Sequence, residues 1–494
     1  MTTTRDSAQV GLPAERRLDF ARSAMNGDWL NGSLPDSSAF TFRGAAVDSR
    51  HVQAGQLFFA LPGEQVNGFD FCTQAQVAGA VAVVVEASRG VPAGVTIPVL
   101  GVASPVDALA DLARAVRRDF KGRVVGVTGS NGKTTTKELI AAALSANARV
   151  LRTQGNFNTE IGLPLTILSA TGDEDFWVLE MAMRGRGQIA LLADIAQPHV
   201  GVITNVAGAH LELLGSIEEV ARAKGELFAG LGVNGIAILP VGDPLIEEQA
   251  AHLPESRKLR FAVDIASPHA DSAVAVALLE ATPAGAAGQV IRFRVAKQPV
   301  VARLPLSGIH NARNAGAALA VALAFDVAIP SAARALSDTV LPPHRSFPRE
   351  VAGRIVIDDC YNANPASMRA ALAMLVESAT SPRAFAILGD MRELGPDASA
   401  LHREIGREWG ARLAGLGTVG VLARELAEGA RAKDDASGGL PSTRIVSDDD
   451  PSRVAKEVAS WTRPGDWILV KASRGMRLER AVDSLIENFA TGRG

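Results

Sequence analysis

Apolar residues follow two alternating rhythms along this chain: short unbroken runs, and longer stretches in which they return every three or four positions. The runs predict buried strands and the stretches predict amphipathic helices. Between residues 42 and 104 the runs fall at 57–61, 81–85 and 97–102, with one helical stretch at 72–79, a small α/β unit. From 105 to about 342, strand and helix alternate as a parallel sheet with crossover helices requires. Strands are expected there at 123–128, 176–182, 200–205 and 235–239, and helices at 133–147 and 217–231. The rhythm fades over 243–303, which reads as loops and short strands in a β excursion from the sheet, and helical spacing returns at 311–324. Pro342 and Pro343 mark a hinge. Beyond them, strands at 354–359, 384–389, 419–422 and 466–471 alternate with helices at 365–377, 399–413, 451–461 and 476–488, a second doubly wound unit. The acidic stretch 433–442 reads as a surface loop.

Length supports this division, since 494 residues exceed what one core holds and suggest about three domains. The boundaries expected are a flexible arm at 1–20, then domains at 21–104, 105–343 and 344–494. Hydrophobic residues at 47% and charged residues at 21% describe an ordinary globular protein. With 50 basic against 53 acidic side chains the net charge is -3, which recommends neither a nucleic-acid partner nor an anionic membrane surface. Cys72 and Cys360 form no zinc spacing and fit buried thiols in a reducing cytoplasm. The first twenty residues contain no apolar signal region, and the apolar stretch 315–329 is broken by Asp326, so no membrane span is expected.

One stretch carries specific chemistry. The strand run at 124–127 ends in Thr128-Gly129-Ser130-Asn131-Gly132-Lys133-Thr134-Thr135, and a helical pattern follows at once. Small residues free backbone N–H groups to face phosphate oxygens, and the helix start adds partial positive charge. Lys133 can reach outer phosphates, and a hydroxyl at Thr134 or Thr135 can ligate a magnesium ion. The glycine of the commoner phosphate loop is replaced by Val127, leaving a narrower pattern. The fold class expected is therefore α/β in three domains: a small N-terminal α/β domain, a central P-loop mononucleotide-binding parallel-sheet domain, and a C-terminal Rossmann-like α/β domain.

Other candidates lie where strands end, the edge at which open α/β sheets bind ligands. Glu180 closes the strand 176–179 and suits a metal, or is simply solvated. His210 follows the next strand and suits either a site or a structural hydrogen bond. Lys224, on a helix, reads as a solvated lysine. His310, Asn311 and Asn314 open an alanine-rich helix and either cap it or hold an adenine edge. Asp359, Asn362 and Asn364 follow a strand in the last unit, where turn chemistry serves equally well. Lys471, Ser473 and Arg474 end its last strand and could bind a carboxylate or phosphate. Ser49 and Arg50 read locally as a solvated turn.

Together these motifs resemble the Mur ligases, ATP-dependent amide-forming enzymes of peptidoglycan assembly, over residues 42–485. The resemblance implies ATP and Mg2+ as cofactors, with Gly129 to Thr135 as the ATP loop. It implies Thr134, Glu180, His210 and a carbamylated Lys224 as metal ligands, and Lys133, Lys224, His210 and Glu180 as the catalytic set. The Gly155-Asn156-Phe157-Asn158-Thr159 run is similar to the family's substrate loop. His310, Asn311, Asn314, Arg345 and Asp359 are implied to touch ATP, and Ser49, Arg50, Asn156, Asn158, Thr159, Asn362, Asn364, Lys471, Ser473 and Arg474 the other substrates. The run from Asp359 to Ser367, the run from Leu388 to Gly395, and His402 resemble the branch that adds D-alanyl-D-alanine to UDP-N-acetylmuramoyl-tripeptide. That branch implies a cytoplasmic monomer whose first domain holds the UDP end. Another Mur-type or folylpolyglutamate-type ligase, or a non-enzymatic nucleotide switch, are the alternatives. Departures from the family pattern stand at Asn67-Gly68-Phe69, Ala182, Gln188 and His344.

Overall fold

A computed structural model describes residues 12–32, 40–63, 66–208, 214–262, 274–379, 383–436 and 443–491. The first domain contains strands β1 (Glu15–Arg17), β2 (Asp28–Trp29), β3 (Thr41–Arg43), β4 (Ala45–Ala46), β5 (Leu57–Phe59), β6 (Ala82–Glu86) and β7 (Val99–Val102). Helices α1 (Leu18–Ala24) and α2 (Cys72–Val77) belong to it, and β2-β7-β6-β5-β4 form one sheet. The part of the expected flexible arm at 15–20 is ordered: β1 pairs with β3, and Leu18 is buried. Sequence reading saw charges there, but their alternation with Leu18 and Ala21 puts one apolar face into the core. Residues 1–11 lie outside the described part.

Helix α3 (Pro105–Asp119) starts on a Ser104 cap that accepts from Asp107 N–H, with Pro105 in the first turn. Its apolar face shares a core with α1, β5 and the central domain, so the two domains are joined by packing through this helix.

The central domain runs β8 (Arg123–Thr128), α4 (Lys133–Leu144), β9 (Val150–Arg152), α5 (Gly162–Leu168), β10 (Phe176–Glu180), α6 (Gln188–Ala196) and β11 (Val200–Ile203). It continues with α7 (Ile217–Ala229), β12 (Ile236–Pro240), α8 (Pro244–Gln249), β13 (Lys258–Phe261), β14 (Val274–Pro283), β15 (Gln289–Val295) and β16 (Gln298–Leu304). The sheet order is β16-β15-β14-β13-β12-β11-β8-β10-β9, parallel from β9 to β14 and antiparallel beyond. The stretch read as irregular thus holds α8, the parallel strands β13 and β14, and an antiparallel extension of the same sheet through β15 and β16. Its alternation is blurred because β14 carries a bulge between Leu278 and Glu280. Helix α9 (Ile309–Ala324) is buried along nearly its whole length, and its alanines let it lie against α4. Helix α10 (Ile329–Ala335) closes the domain.

The last domain comprises β17 (Phe347–Val351), β18 (Arg354–Asp359), α11 (Pro365–Ser378), β19 (Ala384–Gly389), α12 (Ala398–Trp409) and β20 (Gly415–Val419). After these come α13 (Ala423–Ala436), β21 (Arg444–Asp448), α14 (Pro451–Trp461), β22 (Trp467–Lys471) and α15 (Glu479–Ala490). Its sheet order is β17-β18-β22-β19-β20-β21, with only β17 antiparallel among these strands. The strand expected at 419–422 is corrected to β20, whose Gly415 and Gly417 interrupt its apolar run. The expected loop at 433–442 is helix as far as Ala436. Among the described residues, no helix is long and apolar enough to cross a membrane.

Strand β10, which carries Glu180 at its end, is anchored by Trp177, 1% exposed and stacked on Phe120 with ring centroids 3.9 Å apart. The indole Nε1 has no hydrogen-bond partner there. Trp177→Ala should cost about 3–5 kcal/mol in denaturant unfolding, through lost burial and a cavity. Trp177→Phe, which keeps a ring on Phe120 and removes the unpaired N–H, should cost less than half as much.

Candidate active site

Three strand ends meet at one edge of the central sheet, because β8 lies between β10 and β11. The loop after β8 turns sharply into α4. Gly129 has φ of 151°, and a Cβ there would sit 1.9 Å from Thr204 Oγ1, so only glycine fits. Gly132 caps α4 at φ of 77°, and a Cβ there would press on Asn314 Oδ1 at 2.8 Å.

The loop is braced from β11. Asn131 N–H donates to Asn205 Oδ1 at 3.0 Å, while Thr204 Oγ1 and Asn205 Nδ2 donate to Asn131 O at 2.6 and 2.9 Å. Ser130 N–H donates to Asn205 O, and Ser130 Oγ to Ala207 O. Held this way, the first N–H groups of α4 remain without helical acceptors and define an anion site. Lys133 Nζ meanwhile donates to Gly129 O at 2.8 Å.

Glu180 is buried. Its N–H donates to Thr153 Oγ1 at 3.0 Å, and its Oε1 accepts from Asn158 Nδ2 at 2.8 Å. Oε2 is buried with no hydrogen-bond partner. Asn158 therefore joins the Gly-Asn-x-Asn loop to the carboxylate, while Asn156 and Thr159 are exposed on that loop. Lys224 is 2% exposed on α7, not solvated as its helix position had suggested. Burial pushes its amine well below the ordinary lysine range, and Lys133 pushes it further. Burial also lowers Lys133, against which the nearby Glu180 acts, while Arg345 adds to the lowering. The structure thus brings Lys133, Glu180, Lys224 and Arg345 into one electrostatic cluster. His210 lies outside the described residues.

The C-terminal domain reaches this cluster. Asn364 caps α11 by accepting from Ser367 N–H, and its Nδ2 donates to Asn131 Oδ1 at 2.7 Å across the domain junction. Arg345 lies over the Tyr361 ring at 3.6 Å, with its Nε buried and unpaired. His344, where the family pattern has glycine, adopts φ of 65°, and its Nδ1 sits 2.9 Å from Asp358 Oδ2, which fixes the ring there. Lys471 Nζ donates to Asp359 Oδ2 at 2.6 Å and to Asn362 O at 2.8 Å. Ser473 Oγ donates to Ala363 O at 3.2 Å, so this strand end shapes the Asn362 turn. Arg474 is exposed and faces Glu479 instead.

Other expected residues have local partners. Asn311 donates to Ser307 O and accepts from Asn314, so both amides serve the start of α9 beneath Gly132. Ser49 donates to Gln74, and Arg50 makes a two-point contact with Asp48, all within the first domain. His402 donates from Nδ1 to Ala398 O and accepts Met391 N–H on Nε2, a structural histidine. Asn67 caps its turn by accepting from Phe69 N–H, and Phe69 packs under Arg89 at 4.4 Å. Gln188 accepts from Arg184 and Gly185 N–H and closes the loop after Ala182. Sequence reading passed over Thr153 and Lys137, which have no motif of their own. A cavity of about 890 Å³ lies at the opposite edge, beside the starts of β8, β10, β11 and β12, and holds none of the cluster. Among the described residues no three His, Cys, Asp or Glu side chains converge as a ready metal site.

Comparison with known families matches residues 41–117 to the Mur ligase family catalytic domain, 127–322 to the Mur ligase middle domain, and 345–474 to the Mur ligase glutamate ligase domain. The chain belongs to the Mur ligase family. This Mur ligase is 37% identical over 448 residues to the UDP-N-acetylmuramoyl-tripeptide--D-alanyl-D-alanine ligase of Synechocystis, covering 90% of this chain and 92% of that one. It is 35% identical to the Bacillus subtilis enzyme of the same name, covering 93% and 97%. Among solved structures, MurF from Acinetobacter baumannii superposes with a TM-score of 0.84 at 27% identity, covering 97% and 100%. MurF ligase from Thermotoga maritima in complex with ADP gives 0.77 at 30% identity, covering 92% and 99%.

Two partly buried histidines set a pH dependence of stability in this ligase. Burial lowers His199 and His310 to about 4, with Arg117 and Arg123 adding to the effect at His199. Unfolded histidine binds its proton near 6.5, so between 6.5 and 4 the unfolded chain holds more protons and stability falls as pH drops. His199 Nδ1 accepts Val124 N–H, a role a glutamine oxygen can take. Urea unfolding at pH 7 and pH 4.5 should therefore show a smaller acid loss for His199→Gln than for the parent.

Proposed function

We propose that this chain is a cytoplasmic, monomeric ATP-dependent ligase that joins D-alanyl-D-alanine to UDP-N-acetylmuramoyl-tripeptide. The products are the UDP-linked pentapeptide, ADP and phosphate, in peptidoglycan synthesis. The observation that carries this reading is the convergence of Lys133, Glu180, Lys224 and Arg345 on the phosphate loop, in a chain whose relatives bear that enzyme name over nine-tenths of its length.

The chemistry follows from the donor set. A carboxylate is a poor electrophile, so the tripeptide carboxylate first takes the γ-phosphoryl group of ATP, releasing ADP. The amine of D-alanyl-D-alanine then attacks the acyl phosphate, expelling phosphate and losing a proton. Lys133 and the N–H groups at 132–134 hold the phosphates and stabilise charge as it moves, which is catalysis by positioning and electrostatics. The unpaired Oε2 of Glu180 and the Thr134 hydroxyl fit a magnesium ion, with His210 as a further ligand. Bound there, magnesium would neutralise phosphate charge.

Lys224 fits this set as a carbamate. Its buried amine, beside Lys133, is driven toward the neutral form that adds to carbon dioxide, giving a carbamate anion and a proton. The anion would face Lys133. Arg345 and Asp359 serve the nucleotide from the last domain, with His310, Asn311 and Asn314 beneath it. The family pattern assigns Asn156, Asn158, Thr159, Asn362, Asn364, Lys471, Ser473 and, released from Glu479, Arg474 to the reacting carboxylate and dipeptide, and Ser49 with Arg50 to the uridine end.

A coupled phosphate-release assay with ATP, UDP-N-acetylmuramoyl-tripeptide and D-alanyl-D-alanine tests the assignment. Release should require both acceptor and dipeptide. Release with single amino acids instead would assign the chain to a sister ligase, and none with any acceptor would leave a nucleotide switch. In the same assay Lys224→Ala should lose about 10²-fold or more in kcat. Short carboxylic acids should restore part of it, and full activity without them would remove Lys224 from the site.

A further inference from the structure

Lys137 is the one wholly buried lysine described here, with no solvent exposure, and the reaction above makes no use of it. It stands four residues after Lys133 on α4, on the same face one turn further into the protein. Its Nζ donates to Thr153 O at 2.5 Å and pairs with Glu138 Oε1 at 2.8 Å, while Glu138 Oε2 meets Arg152 Nε at 2.6 Å. Thr153 begins the loop that carries Asn156, Asn158 and Thr159. Thr153 N–H donates to Val178 O, and its hydroxyl accepts Glu180 N–H at 3.0 Å.

We propose that Lys137 is a positioning residue that sets the direction of the Glu180 carboxylate through Thr153. A buried ion pair adds little net stability over apolar groups of the same volume, so Lys137–Glu138 is an expensive way to fill space. What it supplies is a fixed direction. The ammonium holds the Thr153 carbonyl, which fixes the Thr153 hydroxyl under Glu180 N–H, and Asn158 from the same loop then holds Glu180 Oε1. One helix thereby sets both the phosphate lysine and the carboxylate whose second oxygen is buried without a partner. Its two lysines divide that work. The proposal rests on Glu180 holding a cation, as in the function proposed above.

Isothermal titration of the full chain separates this role from simple stability, using MgADP and, in parallel, ADP with EDTA. Lys137→Met should weaken MgADP binding about 10-fold or more while leaving metal-free ADP unchanged, the scale at which outer partners of a metal ligand act. Thr153→Val keeps the backbone acceptor for Lys137 and removes only the hydroxyl, so it tests the relay even if Lys137→Met does not fold. It should show the same selective loss, and the double variant no more than the larger single loss. Equal weakening of both nucleotides, or a lower melting temperature with unchanged MgADP binding, would reduce Lys137 to a packing residue. Phosphate release by the parent chain, run alongside, reports on the ligase assignment separately, because it does not depend on either substitution.

Discussion

The structure depends on holding basic groups away from the water that would otherwise solvate their charge. Lys133 feels the buried carboxylate of Glu180 and the cations Lys224 and Arg345, and burial pulls both lysines below their ordinary range. Such a cluster is poorly balanced on its own, since charged groups removed from water need partners. A polyanion restores the balance. That imbalance suits a triphosphate, and the braced loop between Gly129 and Gly132 keeps the N–H groups at the start of α4 in place.

The site is also shared between domains, and the geometry shows how. Asn364 uses its carbonyl oxygen to start α11 and its amide to reach Asn131, so the helix cap and the phosphate loop are tied by one side chain. Nearby, Gly308 leaves no room for a Cβ against Met374 of α11, at 2.9 Å. The hinge that permits this approach is strained at His344 and Ser346, both at positive φ, and the His344–Asp358 contact holds it. A reaction through an acyl phosphate requires water to be kept out, and a domain docked on the loop is a direct means of doing so.

Much of this was legible in the chain. The strand β8, the glycine turn and Lys133 are local features, because a phosphate loop is built by consecutive residues whose spacing is itself the chemistry. Strands β18 and β19 and helix α14 appeared at their observed bounds, since uninterrupted apolar runs and a Pro-led amphipathic pattern depend only on near neighbours. The family motifs likewise marked Glu180, Asn364 and Lys471 by position.

What the tertiary structure decided is burial and partnership between residues distant in sequence. Lys224 and Lys137 look like solvated helix lysines until α7 and α4 are packed, when both lose their water. Thr153 carries no motif, and its importance exists only because β9 and β10 are neighbours. His402 belongs to a signature run and proved structural, because the packing of α12 spends both ring nitrogens on backbone groups. Sequence spacing fixes which groups a turn can present. Only the fold decides which of them are dry, and dryness is what turns an ordinary amine or carboxylate into a reactive one.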